Sequence, residues 1–240
     1  MSTKAAQLKT ADEAKINTFL GQTYLVMSLG LVVTGLVASA TSNNLELILR
    51  ISLNPWISFG LFIIQIAAVV LLSAAAIKMS PVIAGLFFIL YSALTGLTLS
   101  SIFLVYTEEQ IASVFWITAG TFLLISIFTF LFKLKLSSFG AGIFMLLLGW
   151  TIAWTASWLF PLSTFNWALT YIGIALFVGL TIYDTQRLRE IGEQVGSHPA
   201  RGGLVVIGAL TLYLDFINLF LLILRTSRPV SYTHLTLPTN

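Results

Sequence analysis

Asp184 and Asp215 are the residues of this chain whose type and setting suit them to chemistry. Asp215 lies in "LYLDFINLFLLILR", which begins at Leu212 and, apart from Asn218, is otherwise apolar as far as Arg225. Asp184 closes the apolar run of "FVGLTIYDTQRLRE". A charged aspartate at mid-membrane costs about 2.5 kcal/mol or more, so acids retained there mark ion paths or proton relays by default. Gly208, Thr211, Asp215 and Asn218 recur at spacings of three, four and three, on one stripe of a helix. A polar stripe of that kind also joins helices through side-chain hydrogen bonds; its ionisable member is what favours function. Asp184 shares a face with Thr181 and has a second reading as an interfacial ion pair with Arg187. We read the two acids as members of one site, which the rest of the chain holds in place.

The elements that must hold it are apolar. The chain has 240 residues, of which 58% are hydrophobic and only 9% charged, with a mean hydropathy of +0.96. A soluble domain carries about 25% charged residues, so this chain cannot cover a water-facing surface and is expected to cross a membrane. A helix needs about 20 apolar residues to do so. Seven runs qualify, near 18–40, 56–77, 81–105, 111–132, 138–160, 165–186 and 204–225. They are continuous rather than alternating, which argues for helices over strands. The expected fold is an all-α membrane protein, a seven-transmembrane-helix bundle. Residues 1–16 read as a short, frayed polar cytoplasmic arm, 17–228 as the transmembrane domain, and 229–240, "VSYTHLTLPTN" with its preceding proline, as a non-native tail.

Orientation follows from the basic residues. Lys4, Lys9, Lys15, Lys78, Lys133, Lys135, Arg187, Arg189 and Arg201 fall on one side, against Arg50, Arg225 and Arg228 on the other. That bias puts the amino terminus in the cytoplasm. The net charge of +3 is no sign of nucleic-acid binding. Without cysteine, disulfides, thiolate catalysis and cysteine-bound metals are excluded. No phosphate loop, zinc-ligand spacing or serine–histidine–acid set is present, and His198 in "GSHPARG" reads as a solvated loop residue.

Other patterns read as packing. Ser92, Gly96 and Ser100 stand at four-residue intervals, a ridge that lets helices approach closely, and Gly142, Gly149, Ala153 and Ala156 form a similar small face. Trp150, Trp154 and Trp158 occupy another face of that span and are expected to anchor it in lipid.

"YSALTGLTLSSIF", "YIGIALFVGLTIYDTQRLREIGEQ" and "GALTLYLDFINLFLLILR" resemble the Bax inhibitor-1 family, also called the transmembrane Bax-inhibitor-motif family, and most of all its bacterial inner-membrane members. The likeness runs from about residue 15 to 228. It implies a bundle with the seventh helix central and surrounded by the other six. It also implies a paired, proton-sensitive site of one acid from the sixth helix and one from the seventh, tied to calcium leak. By their place in the motifs these are Asp184 and Asp215. The family's basic latch residue before the third span corresponds to Lys78, which lacks the planar two-pronged contact of a guanidinium.

Two carboxylates in contact cannot both ionise cheaply, so such a pair takes up protons in coupled steps. With one shared proton it clasps the two helices, on the supposition that they meet at the cytoplasmic end of the bundle. Fully ionised, it becomes an oxygen-ligand site for Ca²⁺. Lys78, Asn218, Thr211 and Thr181 are the candidate latch and supporting groups. The expected function is a pH-sensitive calcium leak channel of the bacterial inner membrane, with lipid, protons and Ca²⁺ as partners and no cofactor. The alternative is a membrane-embedded regulator of a membrane-anchored quality-control protease, engaged through the amino-terminal arm and without conduction. An enzyme is not expected, because neither "IYDTQ" nor "LYLDFIN" resembles the motifs of aspartyl membrane proteases.

Overall fold

A computed structural model describes residues 2–132, 140–159, 163–195 and 198–227. Lys133, Lys135, Arg228 and the tail 229–240 lie outside the described residues, as does the side chain of Trp158. Among the described residues the fold is all helical, with no strand. The helices are α1 (Ser2–Ser42), α2 (Leu45–Leu53), α3 (Pro55–Ala75), α4 (Pro81–Leu99), α5 (Glu108–Leu131), α6 (Gly140–Leu159), α7 (Ser163–Val195) and α8 (Arg201–Thr226). A 3₁₀ turn, Ser100–Leu104, extends α4.

Helix starts are written in polar residues. Asn54 accepts from the amides of Trp56 and Ile57, with Pro55 at the first helical position. Ser80 and Pro81 repeat the arrangement at α4. Thr107 and Gln110 form a reciprocal capping box at α5, where Glu108 and Glu109 complement the helix dipole.

Two elements differ from the sequence reading. The polar residues expected to fray are helical, because α1 runs unbroken from Ser2; "STKAAQLKTADEAK" is rich in strong helix formers and has no glycine or proline. The connection 41–55 contains α2, which Asn44 caps through the Leu47 amide and which buries Ile48 and Ile51 on one face.

Among the described residues, six helices are long and apolar enough to span a bilayer: α1 from Glu13, α3, α4 with its 3₁₀ extension, α5, α7 from Trp167, and α8. The apolar stretch of α6, Gly142–Ala156, is shorter. Their enclosure differs widely. The most apolar window of α8 is 61% buried within the protein, that of α3 only 6%. Helices α1, α4, α5 and α7 all pack on α8, and α3 touches it.

Helices α1 and α4 cross closely. A Cβ added to Gly96 would stand 2.5 Å from the Thr34 carbonyl oxygen, so this glycine sets the approach of the two backbones. Ser92 and Ser100 are fully buried beside it. In α6 the expected roles are exchanged. A Cβ on Gly142 or Gly149 would meet open space, and the tryptophans do the packing instead. Trp150 donates its indole N–H to the Leu169 carbonyl at 2.8 Å and packs edge-on against Phe177. Trp154 carries the Arg225 guanidinium 4.0 Å from its ring centre. An indole N–H in hydrocarbon needs an acceptor, and α7 supplies one. Among the described side chains, the tryptophans facing outward are Trp56, Trp116 and Trp167, on α3, α5 and α7.

Candidate functional site

The two acids belong to adjacent, packed helices. Asp184 stands on α7 where its apolar residues give way to "TQRLRE", and Asp215 lies close to the midpoint of α8. Helices α7 and α8 follow each other in the chain and pack together, which brings the two carboxyls near each other. The Asp184 and Asp215 side chains are near enough to act on each other across α7 and α8. Both are buried, at 8% and 3% exposure. A hydrogen bond between two carboxyl groups requires a proton on one of them, which donates to an oxygen of the other. The Asp215 Oδ2 atom is buried with no hydrogen-bond partner. Asp215 therefore keeps an open acceptor.

Along α8, Asp215 stands near the midpoint, with Arg201 in the first turn and Arg225 in the last, while α7 carries charged residues on from Asp184 to Val195. The ion-pair reading of Asp184 fails. Arg187 is exposed and its charge acts on Asp184, but no ion pair joins them. Arg189 instead reaches Glu193, with Nε 3.8 Å from Oε1.

The supporting residues are placed unevenly. Thr181 is fully buried and donates to the Phe177 carbonyl at 2.8 Å. Thr211 donates to Ile207 at 3.0 Å and Asn218 to Leu214 at 2.8 Å. All three thus bond to their own helices one turn back, which leaves oxygen lone pairs for other donors. Lys78 is exposed in the α3–α4 turn, where Gly202 and Gly203 at the start of α8 pack against Pro81 and Ala76. Gly203 precedes Asp215 by twelve residues, about 18 Å at the helical rise. Lys78 is thus not brought to the acids, because the height of the pair and the seat of α8 put it at the far end of that helix.

As a cation site the pair is sparse. Ca²⁺ takes six to eight oxygen ligands, and two carboxylates supply at most four. Among the described residues, no group of three or more His, Cys, Asp or Glu comes together. The donor set suits a passing cation that keeps much of its water better than a resident metal.

A buried polar cluster beside the site was not anticipated. Tyr213, two residues before Asp215, is fully buried; its hydroxyl lies 2.6 Å from Thr34 Oγ1. That threonine donates to the Ser92 carbonyl at 2.9 Å. Phe88 and Tyr91 pack edge-on against the Tyr213 ring at 5.5 and 5.9 Å. The cluster ties α1, α4 and α8 into one unit.

A family model described as "Inhibitor of apoptosis-promoting Bax1" matches residues 16–228. The inner membrane protein YbhL of Escherichia coli K12 is 44% identical over 214 residues, covering 88% of this chain and 92% of that protein. An uncharacterized protein of Borreliella burgdorferi is 38% identical over 210 residues, covering 87% and 90%. Another, from Deinococcus radiodurans, is 37% identical over 219 residues, covering 91% and 93%.

Proposed function

The chain belongs to the Bax inhibitor-1 family, and from that premise we propose that it is a pH-sensitive calcium leak pathway of the inner membrane, gated by Asp184 and Asp215. The observation that carries the reading is the burial of these two carboxyls on packed helices, near enough to act on each other across α7 and α8. The bundle has seven spans, with α6 as the fifth and α8 at the centre, and an amino terminus in the cytoplasm. Supporting the central place is the burial of α8, the most enclosed of the six long apolar helices. Supporting α6 as a span is its 20-residue length, about 30 Å at the helical rise.

In the closed state one proton shared between the acids clasps α7 to α8. Loss of that proton sets two like charges against each other in a medium that screens them poorly. The pair then separates or takes up a cation. A Ca²⁺ ion in transit neutralises both carboxylates and uses the open Asp215 oxygen as an early ligand. Addition of a second proton removes both charge and cation affinity. Protonation shifts the open–closed balance to the extent that the two states hold different numbers of protons.

Purified protein in liposomes loaded with a Ca²⁺ indicator tests this. Asp184→Asn and Asp215→Asn are each expected to change the rate of Ca²⁺ entry and flatten its pH profile. Unchanged rate and profile in both variants would remove the pair from the gate. Absent flux in the wild type, together with capture of a membrane-anchored protease that depends on residues 1–16, would instead favour the binding role.

A further inference from the structure

Helix α2 lies where three spans end. The α1 span finishes at Ser42 and the α3 span begins at Pro55, so the residues between them are held at one end of the bundle. Nine residues reach about 14 Å at the helical rise, too short to cross a hydrocarbon core of about 30 Å. Instead α2 packs against α1, α3 and the 3₁₀ turn that closes the α4 span, with Ile48 and Ile51 buried. Asn54 ends α2 and caps α3 through the Trp56 and Ile57 amides, leaving no spacer between the two helices. Ser58 on α3 donates its hydroxyl to the Ile51 carbonyl. These contacts fix α2 to the bundle.

Its other side is exposed. Leu45, Leu49 and Leu53 recur at four-residue intervals, on one stripe of the helix, and are 59%, 37% and 73% exposed. Beside that stripe stand Glu46 and Arg50, ion-paired at 3.2 Å and open to solvent. An apolar stripe alongside a charged one is the pattern of a helix that lies in the membrane interface. The neighbouring surface says what covers the leucines. Trp56, three residues after Leu53, is 84% exposed, and the apolar window of α3 that follows is only 6% buried by protein. Lipid tails accept such a helix as readily as protein does, and a tryptophan at its start suits the headgroup level. The leucine stripe runs directly into this lipid-facing surface.

We propose that α2 is an interfacial helix whose Leu45, Leu49 and Leu53 dip into the phospholipid bilayer at the boundary of headgroups and acyl chains. Glu46 and Arg50 stay among headgroups and water, while Ile48 and Ile51 hold the helix on the bundle. The contact depends neither on the acid pair acting as a gate nor on which side of the membrane holds the amino terminus.

The chain has no cysteine, so Leu49→Cys, Leu53→Cys and Arg50→Cys each give the full-length protein a single thiol for a nitroxide label. All three positions are exposed, which leaves the buried face of α2 intact. The labelled proteins are reconstituted in vesicles of phosphatidylethanolamine and phosphatidylglycerol. Relaxation by dissolved oxygen, which concentrates in hydrocarbon, is compared with relaxation by a water-soluble nickel chelate. The labels at positions 49 and 53 are expected to favour oxygen, at a depth of about 5–10 Å, and the label at position 50 to favour nickel. Nickel access at 49 and 53 equal to that at 50 would overturn the proposal by placing the helix in water. Protection of 49 and 53 from both reagents would also overturn it, because protein would then cover the stripe; spin–spin broadening would identify that protein as a second copy.

Discussion

Tyr213 and Asp215 stand two residues apart on α8, yet only the acid is conspicuous in the sequence. A carboxyl in an apolar run is costly enough to draw notice, whereas a tyrosine there fits core, lipid or interface alike. The meeting of Asp215 with Asp184 was expected through the family resemblance, because no local spacing links residues that far apart. The mid-height position of the pair and its separation from Lys78 were not legible. Both depend on how α7 and α8 slide against each other. The tyrosine cluster yields a prediction at this scale. Tyr213→Phe removes the hydroxyl that meets Thr34, while Thr34 keeps its bond to the Ser92 carbonyl. The loss is expected to be about 1 kcal/mol, read as a lower midpoint of unfolding in detergent, with the ring packing against Phe88 and Tyr91 retained.

Helices were easier to locate than to orient. Seven apolar runs announced themselves by length, and the structure places a helix at each of them. Helix α2 was hidden because nine residues of mixed pattern inside a connection carry no spanning signal. The α6 tryptophans were read as lipid anchors because an indole suits an interface; in the structure the acceptor offered by Leu169 and the gap beside Phe177 turn Trp150 inward. The small ridge of α4 was read correctly as a close-approach surface, since a glycine between two serines serves little else. Two glycines of that helix provide a matched comparison. Gly96→Ala presses a methyl group toward the α1 backbone at Thr34 and is expected to cost about 1–3 kcal/mol. Gly85→Ala meets open space and is expected to be neutral or stabilising by up to about 1 kcal/mol. Unfolding midpoints of the two variants in the same detergent check both expectations. Equal effects would mean that the α1–α4 crossing is not set by Gly96.

The whole molecule shows why hydropathy stops short of architecture in a membrane. Helix α8 has a mean hydropathy of 2.1 and α3 of 2.4, yet their burial differs about tenfold. Lipid tails are as apolar as leucine, so a helix enclosed by protein and one bathed in lipid need the same side chains. Only the polar stripe of α8 hinted that its surroundings were protein. The same burial sets the terms of the proposed gate, since two carboxyls enclosed by packed helices can reach water or a cation only if those helices move. If the pair is the sensor, its members act as one unit, and the effects of removing them must be strongly non-additive. The pH profile of Ca²⁺ entry into liposomes, measured across wild type, Asp184→Asn, Asp215→Asn and the double variant, tests that most directly. The double variant is expected to match whichever single variant is more severe, with the pH dependence already gone. Additive effects, or a pH dependence that persists in the double variant, would contradict a shared-proton gate.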